Sequence, residues 1–106
     1  GTNDNDMILA CNKIKEIDGG IAIANDNEIK CFLKLEIAGL ITNKPHEEVL
    51  KDLNKLHEEI SKISNDVNFN QFLMLSFLSL PVIPNIKITD KGLFDSTHFK
   101  FIDVAF

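Results

Sequence analysis

The pattern of hydrophobic and polar positions predicts two amphipathic helices on either side of an alternating segment. The first helix ends near Asp18, before Gly19-Gly20, and the second opens at Pro45 and ends at Asn65-Asp66. In both helices apolar residues recur at spacings of three and four, the period of one helix face. These two stripes are Met7, Cys11, Ile14 and Ile17, and Val49, Leu53, Leu56, Ile60 and Ile63. We expect the longer helix to pack on a sheet; a coiled-coil seam is the alternative.

The segment between these helices alternates with a period of two, which is typical of strands. One strand is predicted at residues 21–24 and another at residues 29–37, joined by Asn25-Asp26-Asn27, three residues that tolerate left-handed geometry. Apolar side chains at the odd positions from Ile29 to Ile37 should face the core. The opposite face should lie mostly in solvent; it carries Lys30, Phe32, Lys34 and Glu36.

The most apolar stretch of the chain follows the long helix. Residues 69–80 predict a third helix, apolar all round and therefore buried on more than one side. Pro81 and Pro84 favour extended geometry in the residues before them, so this helix should stop near Leu80. A short strand at Ile86 and Ile88, a turn at residues 89–92 and a last strand at residues 99–106 complete the prediction.

This apolar stretch offers more hydrophobic surface than one helix face can use, which indicates an interface. We therefore expect the chain to self-associate, as a two-fold dimer. The candidate contacts are Phe77, Leu80, Val82, Pro84 and Phe106. The alternative is that the long helix covers the stretch and leaves a monomer.

These elements predict an α+β fold, in which a mostly antiparallel sheet of about four to six strands carries helices packed on one face. The length of 106 residues fits a single domain spanning residues 1–106. The net charge of −5 argues against nucleic-acid binding, and no apolar run is long enough to span a membrane. Because Cys11 and Cys31 have no metal or disulfide spacing, a reducing, cytoplasmic location is expected.

The chain offers little sign of catalytic chemistry. His46, His57 and His98 are isolated and form no metal-binding spacing, so no catalytic residue and no metal ligand is predicted. Asp90 and Asp95 are the best-placed carboxylates, because each borders an apolar segment whose desolvation would raise its pKa. For Asp90 we favour turn formation, which explains this residue without any catalysis.

Several short motifs resemble one known family. They are Gly1-x-Asn3-Asp4-x-Asp6-Met7, Gly19-Gly20, Ile37-Ala38-Gly39-Leu40, Leu75-Ser76-Phe77-Leu78, Leu80-Pro81-Val82-Ile83-Pro84, Lys87, Thr89-Asp90, Gly92-Leu93 and Asp95. Together they resemble the C-terminal domain of bacterial-type adenine deaminases, in the amidohydrolase superfamily. The chain departs from the family pattern at Lys34 and Glu36, where prolines are common, and at Ile41-Thr42, where Met-Ser is common.

The resemblance implies an accessory domain of a hydrolase that converts adenine to hypoxanthine and ammonia in purine salvage. Its partner would be a TIM-like catalytic barrel upstream of Gly1, holding an iron or manganese centre. Nothing in this chain matches the metal ligands of that barrel, so the chain itself is expected to need no cofactor and to be inactive alone. The alternative is a free-standing α+β interaction or ligand-binding module without catalysis.

Overall fold

The computed structural model describes residues 1–64 and 69–104, apart from the side chain of Ser79. Its elements are α1 (Asp4–Glu16), β1 (Gly20–Asn25), β2 (Glu28–Lys34), α2 (His46–Ile63), α3 (Gln71–Ser79), β3 (Ile86–Thr89), β4 (Gly92–Asp95) and β5 (Lys100–Ile102). The predicted α+β class is confirmed: the described part of the chain has three helices and five antiparallel strands. The strands form two small sheets, β1-β2 and β3-β4-β5, where one sheet was expected.

Contacts divide the chain into two compact units, Gly1–Val67 and Asn68–Phe106. We call them unit 1 and unit 2. Each sheet belongs to one unit, and the single domain over residues 1–106 stays a prediction. Among the described residues, no helix combines the length and the apolar character needed to cross a membrane.

The predicted hairpin forms the centre of unit 1. Strands β1 and β2 pair antiparallel, and Asp26 and Asn27 turn between them with φ angles of 56° and 58°. Both residues tolerate this left-handed geometry, so the turn prediction is confirmed. Strand β2 ends at Lys34, however, and the predicted extension to Ile37 is wrong. Ile37 instead bridges to Ile41 across a tight turn, which ends the regular strand.

Helices α1 and α2 pack on opposite faces of this hairpin, which corrects the prediction of helices on one face and solvent on the other. The Nζ atom of Lys13 in α1 lies 4.4 Å from the centroid of the Phe32 ring. The Sγ atom of Cys31 lies 4.0 Å from the backbone oxygen of Lys55 in α2. Since neighbouring residues of a strand point to opposite faces, the two helices cover different sides.

The core of unit 1 lies where these helices meet the hairpin. Its buried side chains are Ile17, Ile23, Leu33 and Leu56. The stripe predicted on α2 is largely confirmed: Leu56 is completely buried, Val49, Leu53 and Ile60 are half-buried, and Ile63 is exposed. The predicted end of this helix at Asn65-Asp66 lies outside the described residues.

The stripe predicted on α1 is only partly correct. Ile17 is buried and Ile14 half-buried, but Met7 and Cys11 are exposed. The contact face also contains a polar residue, because the Asp6 carboxylate accepts a hydrogen bond from the backbone N–H of Asn27 at 2.8 Å. Apolar spacing alone carries no signal for such a contact.

Unit 2 is built on the three-stranded sheet, with α3 packed on β3. The helix ends as predicted, because Leu80 takes an extended conformation at its C-cap. Burial on more than one side is wrong, since the side chains of residues 73–78 are exposed. The last strand is also shorter than predicted; β5 spans only Lys100–Ile102, and Phe106 lies outside the described residues.

Candidate functional surfaces

Groups with catalytic potential are dispersed through the described residues. No set of three His, Cys, Asp or Glu side chains in residues 1–64 and 69–104 could hold a metal ion. His46 lies at the start of α2, with Nδ1 3.3 Å from the carboxylate of Glu47. His57 lies within the same helix and His98 follows β4 in unit 2. Within unit 1, His46 and His57 lie about three turns apart along one helix, roughly 16 Å, and therefore share no site.

Asp95 and His98 form a close pair after β4. One carboxylate oxygen of Asp95 accepts the backbone N–H groups of Thr97 and His98 at 2.9 and 3.1 Å, and the other lies 2.7 Å from Nδ1 of His98. The bond to the His98 ring, followed by the backbone bond, holds the pKa of Asp95 below its usual value. The expected rise through desolvation is therefore wrong for this residue. The sequence analysis did not predict the contact between Asp95 and His98. The Asp-x-x-His spacing is the feature of the sequence that could have indicated it.

The turn that contains Asp90 is held by the hydroxyl of Thr89. This hydroxyl donates to the backbone oxygen of Gly92 at 2.8 Å and accepts the N–H of Lys91 at 3.2 Å. Asp90 itself is exposed. The geometry favours a structural role for this turn.

Four of the five predicted interface residues lie in one segment of unit 2 with exposed side chains. Phe77 is in α3, Leu80 caps that helix, and Val82 and Pro84 follow in a turn and bend, where an extended segment was expected. The N–H of Ile83 closes this turn on the backbone oxygen of Leu80 at 3.2 Å. Val82 is 72% exposed. We call these four residues the proline-segment surface. Phe106, the fifth, lies outside the described residues.

The proline-segment surface is held by hydrogen bonds to its backbone. The single hydroxyl hydrogen of Ser96 is shared between the backbone oxygens of Ile83 and Asn85, and the N–H of Ser96 donates to the oxygen of Asn85 at 3.0 Å. A segment tied to β4 in this way presents its apolar side chains in a fixed arrangement.

Sequence reasoning missed a second apolar surface, which lies in unit 1. It is an open trough with a volume of about 550 Å³ beside the first turns of α2. We call it the α2 trough and define it by Leu35, Leu40, Ile41, Val49, Leu50 and Leu53. The periodic pattern assigned residues 35–37 to a strand and ended it at Leu40. The signal for a protruding turn was Ala38-Gly39, between the isoleucines that bridge.

Sequence comparison relates the chain to known proteins. The family model described as adenine deaminase C-terminal domain matches residues 1–100. The chain is 50% identical over 104 residues to an adenine deaminase of Leuconostoc mesenteroides, covering 98% of this chain and 18% of the relative. It is 46% identical to adenine deaminase 1 of Oenococcus oeni, covering 98% and 19%, and to an adenine deaminase of Bacillus subtilis, covering 98% and 18%. The chain thus spans less than a fifth of the length of these curated relatives.

Proposed function

This chain belongs to the adenine deaminase C-terminal domain family, and we propose that it is the accessory domain of an enzyme that hydrolyses adenine to hypoxanthine and ammonia. One observation carries the proposal: similarity to an adenine deaminase extends over 98% of the chain at 50% identity. The motifs quoted from the N-terminus to Asp95 agree with this match. In this proposal the enzyme is cytoplasmic and acts in purine salvage.

The side chains present in this chain indicate which part of the enzyme carries out the hydrolysis. Adenine deamination of this kind implies a metal centre, of iron or manganese, and the described residues do not form a set of ligands that fits one. We therefore assign no step of the hydrolysis to this chain. The catalytic barrel, in the rest of the polypeptide, supplies the metal ligands and the adenine site.

The accessory role that we propose is to cover the catalytic barrel and to help hold subunits together. The proline-segment surface supports the second part, because its apolar side chains are exposed and its backbone is tied down by Ser96. The Phe106 end of the chain is the second candidate contact.

We predict that the 106-residue chain alone releases no ammonia from adenine and binds no stoichiometric iron or manganese. By contrast, a fusion protein in which this chain replaces the matched segment of the Leuconostoc mesenteroides enzyme should deaminate adenine. An ammonia-release assay and elemental analysis of both proteins test this. The control is the same enzyme with its own segment. Turnover by the chain alone with about one metal equivalent, or a folded fusion protein without turnover, would contradict the proposal.

A further inference from the structure

The turn at residues 37–41 is a preformed element of unit 1. The N–H of Ile37 donates to the oxygen of Ile41 at 2.9 Å, and the N–H of Ile41 returns a bond to the oxygen of Ile37 at 3.1 Å. At its base, the Glu36 carboxylate accepts the N–H of Asn43 at 3.3 Å. Hydrogen bonds within the turn and at its base therefore fix its conformation in the absence of a partner.

The same turn is pressed against the end of α1. A Cβ atom added to Gly19 would lie 2.5 Å from the Cα atom of Gly39, so this approach requires glycine at position 19. Gly39 also has a φ angle of 72°, in the left-handed region. The backbone of the turn therefore has one position on unit 1, set by close packing as well as by hydrogen bonds.

This rigid turn holds apolar side chains out into solvent. Leu40 is 77% exposed and Ile41 60%, and both line the α2 trough together with Leu50, which is 56% exposed. Burying a leucine side chain is favourable, and a preformed surface loses little conformational entropy when it binds. The combination is typical of an anchor side chain in an interface.

The polar residues around the trough do not favour a strongly charged partner. Lys44 pairs with Asp52 at 3.3 Å, and His46 lies beside Glu47 at 3.3 Å. The positive charge of Lys44 is thus balanced by Asp52 at the edge of an apolar surface. This arrangement fits another protein surface that is apolar at its centre and mixed in charge at its rim.

The length of the relatives indicates which protein surface occupies the α2 trough. More than four-fifths of each curated relative lies outside the matched segment. In the proposed enzyme the catalytic region is tethered to this domain in one polypeptide, and tethering raises its effective concentration above that of a second copy of the chain or a separate protein in dilute solution. The neighbouring part of the same polypeptide therefore meets the trough first.

We propose that the α2 trough is the surface by which this domain docks on the catalytic region of its own polypeptide, with Leu40 as the anchor. The inference rests on the proposed function for the identity of that region. It assigns to unit 1 a role separate from the self-association surface of unit 2. A second copy of the chain in the trough, or an open trough, is an outcome that the test distinguishes.

Thiol labelling of Leu40→Cys tests the proposal in the chain alone and in the fusion protein. Leu40 is exposed in the chain, so its replacement should not disturb the fold and the new thiol should react rapidly with a maleimide. In the fusion protein it should react about tenfold more slowly, as expected for a site covered by an interface. The native Cys11, exposed on α1, is the internal reference for labelling.

Each result decides the question. Equal rates at position 40 in the two proteins, or equal slowing at Cys11, would show that the trough is not the docking surface. If the labelling rate at position 40 in the chain alone decreases as the concentration of the chain increases, a second copy of the chain occupies the trough, and the proposal is overturned. Protection at position 40 in a fusion protein that does not deaminate adenine would support docking and contradict the proposed function instead.

A substitution test gives an independent readout. Leu40→Asp should lower the melting temperature of the fusion protein by about 2–4 °C and leave that of the chain alone unchanged. Ile8→Asp is the matched control, because Ile8 is 58% exposed on α1 and away from the trough. Equal effects of the two substitutions on the fusion protein would contradict the proposal.

Discussion

At the scale of single residues, Asp95 shows how a turn sets the charge state of a side chain. Its carboxylate is bonded to the ring of His98 and to two backbone N–H groups, and its pKa lies below the usual value of 3.8. Since the folded state has the lower pKa, these bonds contribute stability above pH 3.8. That contribution is lost as the pH falls through the folded pKa.

We predict that His98→Ala raises the pKa of Asp95 toward 3.8, because the ring bond is the largest cause of the lowered value. A carboxyl ¹³C NMR titration of the two proteins measures the change directly. His46→Ala, which removes a histidine beside Glu47, should leave the titration of Asp95 as it is. An unchanged midpoint in His98→Ala would mean that the backbone bonds alone set the pKa.

This pair also shows what residue patterns omit. Because Asp95 lies beside apolar residues in the sequence, we expected desolvation to raise its pKa. In the structure, hydrogen bonds to its carboxylate lower the pKa instead. Those bonds depend on a turn that continues into Phe99, which has a φ angle of 52°. Hydrophobic periodicity carries no information about such a backbone conformation.

At the scale of elements, α2 allows the prediction of a buried face to be tested with one residue type. Leu56 is completely buried and Leu50 is 56% exposed on the same helix. Leu56→Ala should lower the free energy of unfolding by about 2–5 kcal/mol, through lost burial and the cavity that remains. Leu50→Ala should change it by less than about 0.5 kcal/mol. Urea unfolding of the chain measures both, and similar losses would mean that the helix face is assigned wrongly.

The helix face and the hairpin turn were predictable from the sequence, because apolar spacing and local residue preferences determine them. The face of α2 and the turn of the β1-β2 hairpin follow from apolar spacing and from residues that accept left-handed geometry. The contact face of α1 and the end of β2 differ from their predictions for the same reason. The face of α1 includes the bond between Asp6 and Asn27, and β2 is followed by a turn with positive φ angles at Ala38 and Gly39. Both are local polar or backbone features that an apolar pattern does not encode.

At the scale of the whole molecule, the α+β class followed from the order of elements, but the division into two sheets did not. Strand pairing joins residues that are close in sequence in both sheets, so each sheet closes within its own unit. The proline-segment surface was predictable because it is one continuous stretch of sequence. The α2 trough was not, since it joins the turn at Leu40 to the start of α2.

We predict that the chain self-associates through unit 2. Contiguous exposed apolar patches beyond a few hundred Å² are unusual on monomers, and the proline-segment surface adds to exposed side chains of α3 such as Leu75 and Leu78. We expect the chain to form a two-fold dimer through this surface, because closed two-fold symmetry is the commonest arrangement. Sedimentation velocity at micromolar concentration should show a dimer that Val82→Asp converts to a monomer, since an unpaired charge would be buried in the interface.

Leu40→Asp is the control that separates the two surfaces. It alters the α2 trough in unit 1 and should leave the dimer intact, because the expected dimer contacts lie in unit 2. A wild-type chain that sediments as a monomer and binds no dye for exposed apolar patches would rule out the proline-segment interface. If Leu40→Asp dissociates the dimer and Val82→Asp does not, the chain self-associates through unit 1, and the roles assigned to the two surfaces are wrong.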